Sequence, residues 1–191
     1  DDPVAQVYGY AEGSANGSSR IGMVSFYDAE ILAFPVSSVN GPRWVTTPSL
    51  LRRAGAKNVP DLKTIECVMV KQQNSGRLNL GWMLLNTQMN SKYALPTLTN
   101  AVPTDMPSWY GEVNDRLVLV KEDLFPSIVN ANLETRTSVS IDFETGAASD
   151  GALFTYEAIP RGTLFLGGLG FDNDRFANLL PTAEPLVQKG V

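Results

Sequence analysis

Residues 22–36 read GMVSFYDAEILAFPV, and residues 47–55 read TPSLLRRAG. The first stretch is β-branched and aromatic at both ends and alternates in part, which predicts a strand, an interruption near Asp28, and a second strand. The second carries helix punctuation at both ends. Thr47 can accept from a free backbone N–H as a cap and Pro48 suits the first helical position. Arg52 and Arg53 suit the negative end of the helix dipole, and Gly55 can close it.

Working outward, residues 10–19 are small and polar and read as a flexible loop, while Ile65–Val70 reads as a strand followed by a turn at Asn74-Ser75-Gly76. Pro96, Pro103 and the run Pro107–Gly111 predict irregular chain. Residues 56–115 therefore read as an insertion with little core of its own. Beyond it, Arg116–Val120 predicts a strand, Glu122–Asn130 a short helix and Glu134–Phe143 another strand. Leu153–Ile159 follows a glycine-bracketed turn, Thr163–Leu166 reads as a buried strand, and Asp172 or Asn173 caps a last helix from Asp174 to about Leu180. Strands mixed with short helices make the expected class α+β.

Composition narrows the functions. At 191 residues with 43% hydrophobic and 18% charged side chains, the chain fits one core, or one core with an insertion, and not a disordered, collagenous or coiled-coil protein. Apolar runs such as Leu117–Val120 fall far short of the roughly 20 residues a membrane helix needs, so no membrane partner is expected. The single cysteine, Cys67, excludes an internal disulfide and fits a reducing, cytoplasmic setting. With no histidine, Ser-His-Asp and Cys-His catalysis and histidine-held metals are excluded within this chain. The chain opens Asp1-Asp2-Pro3 without methionine, and is expected to be a segment of a longer protein.

The net charge of −5 is unevenly spread. From Arg43 to Lys92 there are eight basic side chains and two acidic ones, and from Ala101 onward six basic and thirteen acidic. A polyanion would meet the first stretch favourably and the second poorly.

Of the local patterns, Gly167-Gly168-Leu169-Gly170 lacks the third glycine of a dinucleotide loop and reads as a strand-to-helix turn. Asp172 and Asp174 suit a helix start better than a cation site. Tyr156-Glu157 pairs a phenol with a carboxylate that can move protons, and Trp44, Trp82 and Trp109 are possible stacking faces or plain core.

Two blocks carry a family resemblance. Residues 19–38, SRIGMVSFYDAEILAFPVSS, followed by Trp44-Val45-Thr46-Thr47-Pro48, form the first, with Val7-Tyr8-Gly9 as lead-in. The second runs from Leu117–Val120 through Asp123-Leu124-Phe125, Thr135-Arg136-Thr137, Ile141-Asp142, Glu144-Thr145-Gly146 and Asp150–Glu157 to Ile159-Pro160. Together they resemble the RAMP superfamily of CRISPR type III effectors, above all the backbone subunit of the type III-B (Cmr) complex. The blocks span about half the chain, and residues 56–115 match poorly.

The resemblance implies a ferredoxin-like (RRM-like) core from residues 1–55 and 116–191, interrupted at 56–115 by an inserted thumb or β-hairpin region. It implies guide RNA, target RNA, other effector subunits and copies of the same chain as partners, in antiviral defence. It also implies target-RNA cleavage by a loop aspartate with a divalent metal (Mg or Mn) in the full-length family. That aspartate's segment is expected before Asp1 and a glycine-rich RNA-binding loop after Val191, so no cofactor is assigned to this segment and enzymatic activity is left open. The family's arginine at the end of the first block is Ser37 here. RNA-binding roles fall to Arg20, Arg43, Trp44, Arg52, Arg53 and Arg136, and an accessory catalytic role to Tyr156 and Glu157. The competing readings are a structural assembly module that touches no RNA and an unrelated α+β ligand-binding domain.

Overall fold

A computed structural model of the chain describes residues 3–10, 19–64, 66–72, 76–96, 106–141 and 148–172. In chain order the elements are α1 (Pro3–Tyr8), β1 (Gly9–Tyr10), β2 (Arg20–Ile21), β3 (Val24–Phe26), β4 (Glu30–Val36), β5 (Arg43–Thr46) and α2 (Pro48–Arg53). There follow β6 (Cys67–Val70), β7 (Arg77–Leu80), β8 (Met83–Met89), α3 (Met106–Asp115), β9 (Leu117–Leu119) and α4 (Phe125–Ala131). The last are β10 (Glu134–Ile141), β11 (Ala148–Ala158), β12 (Leu164–Leu166) and β13 (Leu169–Phe171). The protein is α+β, and none of the described helices is long and apolar enough to cross a membrane.

The chain divides into two compact units, one of Asp1–Glu30, Leu98–Tyr110 and Phe165–Val191, the other of Ile31–Thr97 and Gly111–Leu164. In the first, β3 and β13 pair antiparallel with Phe26 opposite Leu169 and Val24 opposite Phe171. Val7 and Met23 form its buried centre, joined by a Met23 N–H bond to the Val7 carbonyl at 2.9 Å. Gly22 is required there, because a Cβ would lie 2.4 Å from the Tyr8 backbone.

The second unit is built on a mixed sheet in the order β4-β5-β9-β6-β8-β7, with β12, where the unit's chain ends, as the seventh strand beside β4. The β5–β9 and β6–β8 pairs are parallel, and β4–β5, β6–β9 and β7–β8 are antiparallel. All residues of β5 and β9 are buried, as expected of central strands covered on both faces. Phe34, Val36, Val45, Val68, Val70, Leu78, Leu80, Val118 and Val120 form one apolar face, and α4 contributes Ile128 to it. The strands of residues 56–115 thus add to a shared core and build none of their own.

The helix of residues 48–53 forms as its sequence dictates. Thr47 sits at φ −120°, ψ 160° and its Oγ accepts from the Leu50 N–H at 3.3 Å, Pro48 takes the first turn, and Gly55 closes the helix at φ +90°. The expected break near Asp28 separates β3 from β4.

Three expectations are corrected. Residues 107–111 are helical within α3 and not irregular, because Pro107 lies in the first turn, where its missing N–H costs nothing. Residues 164–166 are a strand, yet Phe165 is half exposed and not buried. Gly167 and Gly168 join strand to strand, β12 to β13, and not strand to helix. All but the two ends of the loop expected at 10–19, most of the turn at 74–76 and the helix expected from Asp174 lie outside the described residues.

Candidate nucleic-acid interface

Strands β10 and β11 form a two-stranded antiparallel ribbon, with a register shift between Val139 and Ile141. Alternation along paired strands sorts its side chains onto two faces. Glu134, Arg136 and Ser138 share one face with Ala158, Tyr156 and Phe154, their cross-strand partners. Thr135, Thr137 and Val139 share the other with Glu157, Thr155 and Leu153.

On the first face the Phe154 and Tyr156 rings lie 6.0 Å apart at 31°, with Phe154 57% and Tyr156 43% exposed. Arg136 stands opposite Tyr156 and donates from Nε and Nη2 to Glu134 Oε2 at 3.0 and 2.7 Å. The Glu134 hydrogen bond and charge, with a smaller contribution from the Tyr156 phenol, hold Arg136 above its ordinary pKa. An ion pair this exposed contributes little to stability, so the guanidinium can exchange Glu134 for another anion at little cost. The face combines two neighbouring exposed aromatic rings with a cation, the chemistry on which unpaired bases stack.

Tyr156 and Glu157 are consecutive on β11 and so point to opposite faces, and they do not converge on one reacting atom. Arg52 donates from Nη2 to Asp61 Oδ1 at 2.6 Å and to the Val59 carbonyl at 2.9 Å, holding the chain that follows α2. Arg53 is exposed in the last turn of α2. Arg20 lies on β2, in the first unit, and its side chain is outside the described residues. Trp44 is buried, and its indole N–H donates to the Gly162 carbonyl at 2.8 Å, which makes it a packing residue.

Arg43 is the least expected of these positions. It opens β5, is only 8% exposed, and its Nε meets no hydrogen-bond acceptor. Leaving such a donor buried and unpaired costs about 1–3 kcal/mol, more when it is charged. Burial and the neighbouring Arg116 charge both push the Arg43 guanidinium below its ordinary value. Nearby, the Tyr93 hydroxyl donates to the Met69 carbonyl at 2.7 Å with the Leu117 carbonyl at 3.1 Å, and burial pushes its phenol well above the usual range. Lys71 Nζ lies 5.7 Å from the centre of the Tyr93 ring and is held below its ordinary value by burial, against the charge of Asp115. The basic stretch from Arg43 to Lys92 is therefore no single stripe: one arginine is buried and another is paired.

Reasoning from sequence missed Phe154 and the grouping of Arg43 with Arg116 and Tyr93. Phe154 was legible from its spacing of two from Tyr156 on a strand; the grouping was not, because its members come from separate strands.

Comparison with known proteins gives these observations a context. The model of the RAMP superfamily matches residues 2–188. A curated relative, the CRISPR system Cmr endoribonuclease Cmr4 of Pyrococcus furiosus, is 28% identical over 159 residues, covering 76% of this chain and 54% of its own length. The chain thus spans about half the length of that relative. The crystal structure of oligomeric Cmr4 from Pyrococcus furiosus superposes with a TM-score of 0.62 at 18% identity, over 98% of this chain and 68% of the other. A chain in the cryo-EM structure of the type III-B Cmr-beta complex bound to cognate target RNA gives a TM-score of 0.57 at 16% identity, over 94% of this chain and 67% of the other. These structural likenesses establish the fold, and the family match over nearly the whole sequence establishes the lineage: the chain belongs to the RAMP superfamily.

Proposed function

We propose that this chain is the whole or part of a backbone subunit of a type III CRISPR effector, binding RNA in antiviral defence with the β10–β11 ribbon as a principal contact. Its partners are then guide and target RNA, other effector subunits and copies of itself, carried on a ferredoxin-like (RRM-like) core. The observation that carries the RNA reading is the exposed pair Phe154 and Tyr156 beside Arg136, on a ribbon with little burial of its own. Aromatic side chains left in water on a strand pair are costly unless a partner covers them, and bases cover such faces whatever their sequence.

The full-length family's divalent-metal cleavage is a separate matter. Among the described residues no three carboxylates or thiols come together, so no metal-dependent step is assigned to them.

The test is anisotropy of a labelled single-stranded RNA of mixed sequence, titrated across salt. The expected result is salt-sensitive binding that weakens about ten- to a hundredfold in the Phe154→Ala/Tyr156→Ala double variant, with the unfolding midpoint unchanged. Arg136→Ala is expected to lower the salt slope by about one. Salt-insensitive self-association without RNA binding would favour the assembly module instead. That second reading has its own observation, since Trp82 and Leu84 at the start of β8 are 76% and 61% exposed. An apolar patch there suits contact between copies.

A further inference from the structure

Two arginines meet at one end of the seven-stranded sheet. Arg43 opens β5, Arg116 directly precedes β9 and Lys71 directly follows β6. The register sets the two arginines side by side. Trp44 pairs with Leu117 in parallel, so Arg43 and Arg116 hold neighbouring positions, and the Trp44 N–H bonds the Arg116 carbonyl at 3.2 Å. Val70 pairs with Val118 antiparallel, which brings Lys71 opposite Leu117 and so onto the other face of the sheet from Arg43 and Arg116. The Arg116 side chain reaches the β4–β5 turn, where its Nη1 would lie 3.4 Å from a Cβ at Gly41. Tyr93 lies under Lys71. Among the described residues, Arg43 is influenced by Arg116 and Tyr93 and by no acid.

We propose that Arg43 and Arg116 form a phosphate-binding site in which they grip one phosphate group between them. A nine-tenths buried arginine whose Nε is enclosed without an acceptor, set beside a second arginine, lacks the anion that buried charges require. The planar fork of arginine matches phosphate oxygens, and two such forks suit a doubly charged oxyanion better than a lone carboxylate. Burial strengthens the grip because water competes weakly there. The site lies on other elements than β10–β11 and does not depend on the ribbon's role. The phosphate has two sources, a free or terminal phosphate and a phosphodiester of an RNA backbone.

The test uses the 191-residue chain with inorganic phosphate as probe, against chloride at matched ionic strength. Phosphate is expected to raise the unfolding midpoint saturably, as a ligand of the folded state does. Arg43→Met should abolish that rise while keeping or raising the midpoint in chloride, because it removes an unpaired buried charge. Arg116→Gln, at a half-buried position, should weaken phosphate about tenfold and serves alone if Arg43→Met does not fold. Arg136→Ala should leave the phosphate effect intact. A short single-stranded RNA then separates the sources. If Arg43→Met also weakens RNA, the site takes backbone phosphodiesters; if RNA affinity is unchanged, it takes free phosphate; both outcomes support the site. Equal midpoints in phosphate and chloride, or a full phosphate effect retained in Arg43→Met or Arg116→Gln, overturn it.

Discussion

The seven-stranded sheet and the β10–β11 ribbon belong to the same unit and use the same backbone pairing, yet they spend their apolar side chains oppositely. In the sheet, Phe34, Val45, Val68, Leu80 and Val118 are fully or almost fully buried. In the ribbon, Val139, Leu153, Phe154 and Tyr156 are all more than 40% exposed. Pairing alone does not decide burial; a third layer does. The sheet has α4 against one face through Ile128, whereas both faces of the ribbon carry exposed side chains. A two-stranded ribbon is marginal by itself in water, so a ribbon held out this way is suited to meeting a partner.

The contrast breaks most sharply under truncation. Phe34→Ala should cost about 3–5 kcal/mol in urea denaturation, against less than about 0.5 for Leu153→Ala. Similar losses at the two positions would mean that the ribbon is packed in solution and unavailable to RNA.

Alkali probes the sheet end through Tyr93. Tyr93 is fully buried and its phenol titrates above the unfolded value of 10. Its contribution is whole below pH 10 and is lost as pH rises from there, because the unfolded chain gives up the proton first. Stability should fall by about 1.4 kcal/mol per pH unit in that range, and Tyr93→Phe should flatten the slope. A slope unchanged in Tyr93→Phe would place the ionisation elsewhere. The smallest effect sharpens the local end of the comparison. Thr47→Ala should cost about 1 kcal/mol by freeing the Leu50 N–H, with Thr47→Ser close to neutral.

These positions also differ in how readily they were read. The Thr47–Gly55 helix was legible residue by residue, since cap, proline and closing glycine act within one turn of chain. The helix over residues 107–111 was not, because a proline that breaks a helix interior is harmless in its first turn, and only Val113 packing into the core shows where the helix runs. Tyr156 and Glu157 were legible as neighbours, but the strand's two-residue period turns them apart. Trp44 was read as a possible stacking face, and its contact with the Gly162 carbonyl comes from far along the chain.

By itself the sequence determined the α+β class, the break before β4, the capped helix after β5 and the family, because each rests on local spacing or on ordered blocks of residue types. It also showed a basic stretch beginning at Arg43. Only the tertiary structure decided that Arg43 is buried beside Arg116, and that Arg136 stands exposed beside two aromatic rings. Charge is a property of a residue, but its burial and its neighbours are set by strand order, and residues distant along the chain become partners only when the sheet assembles.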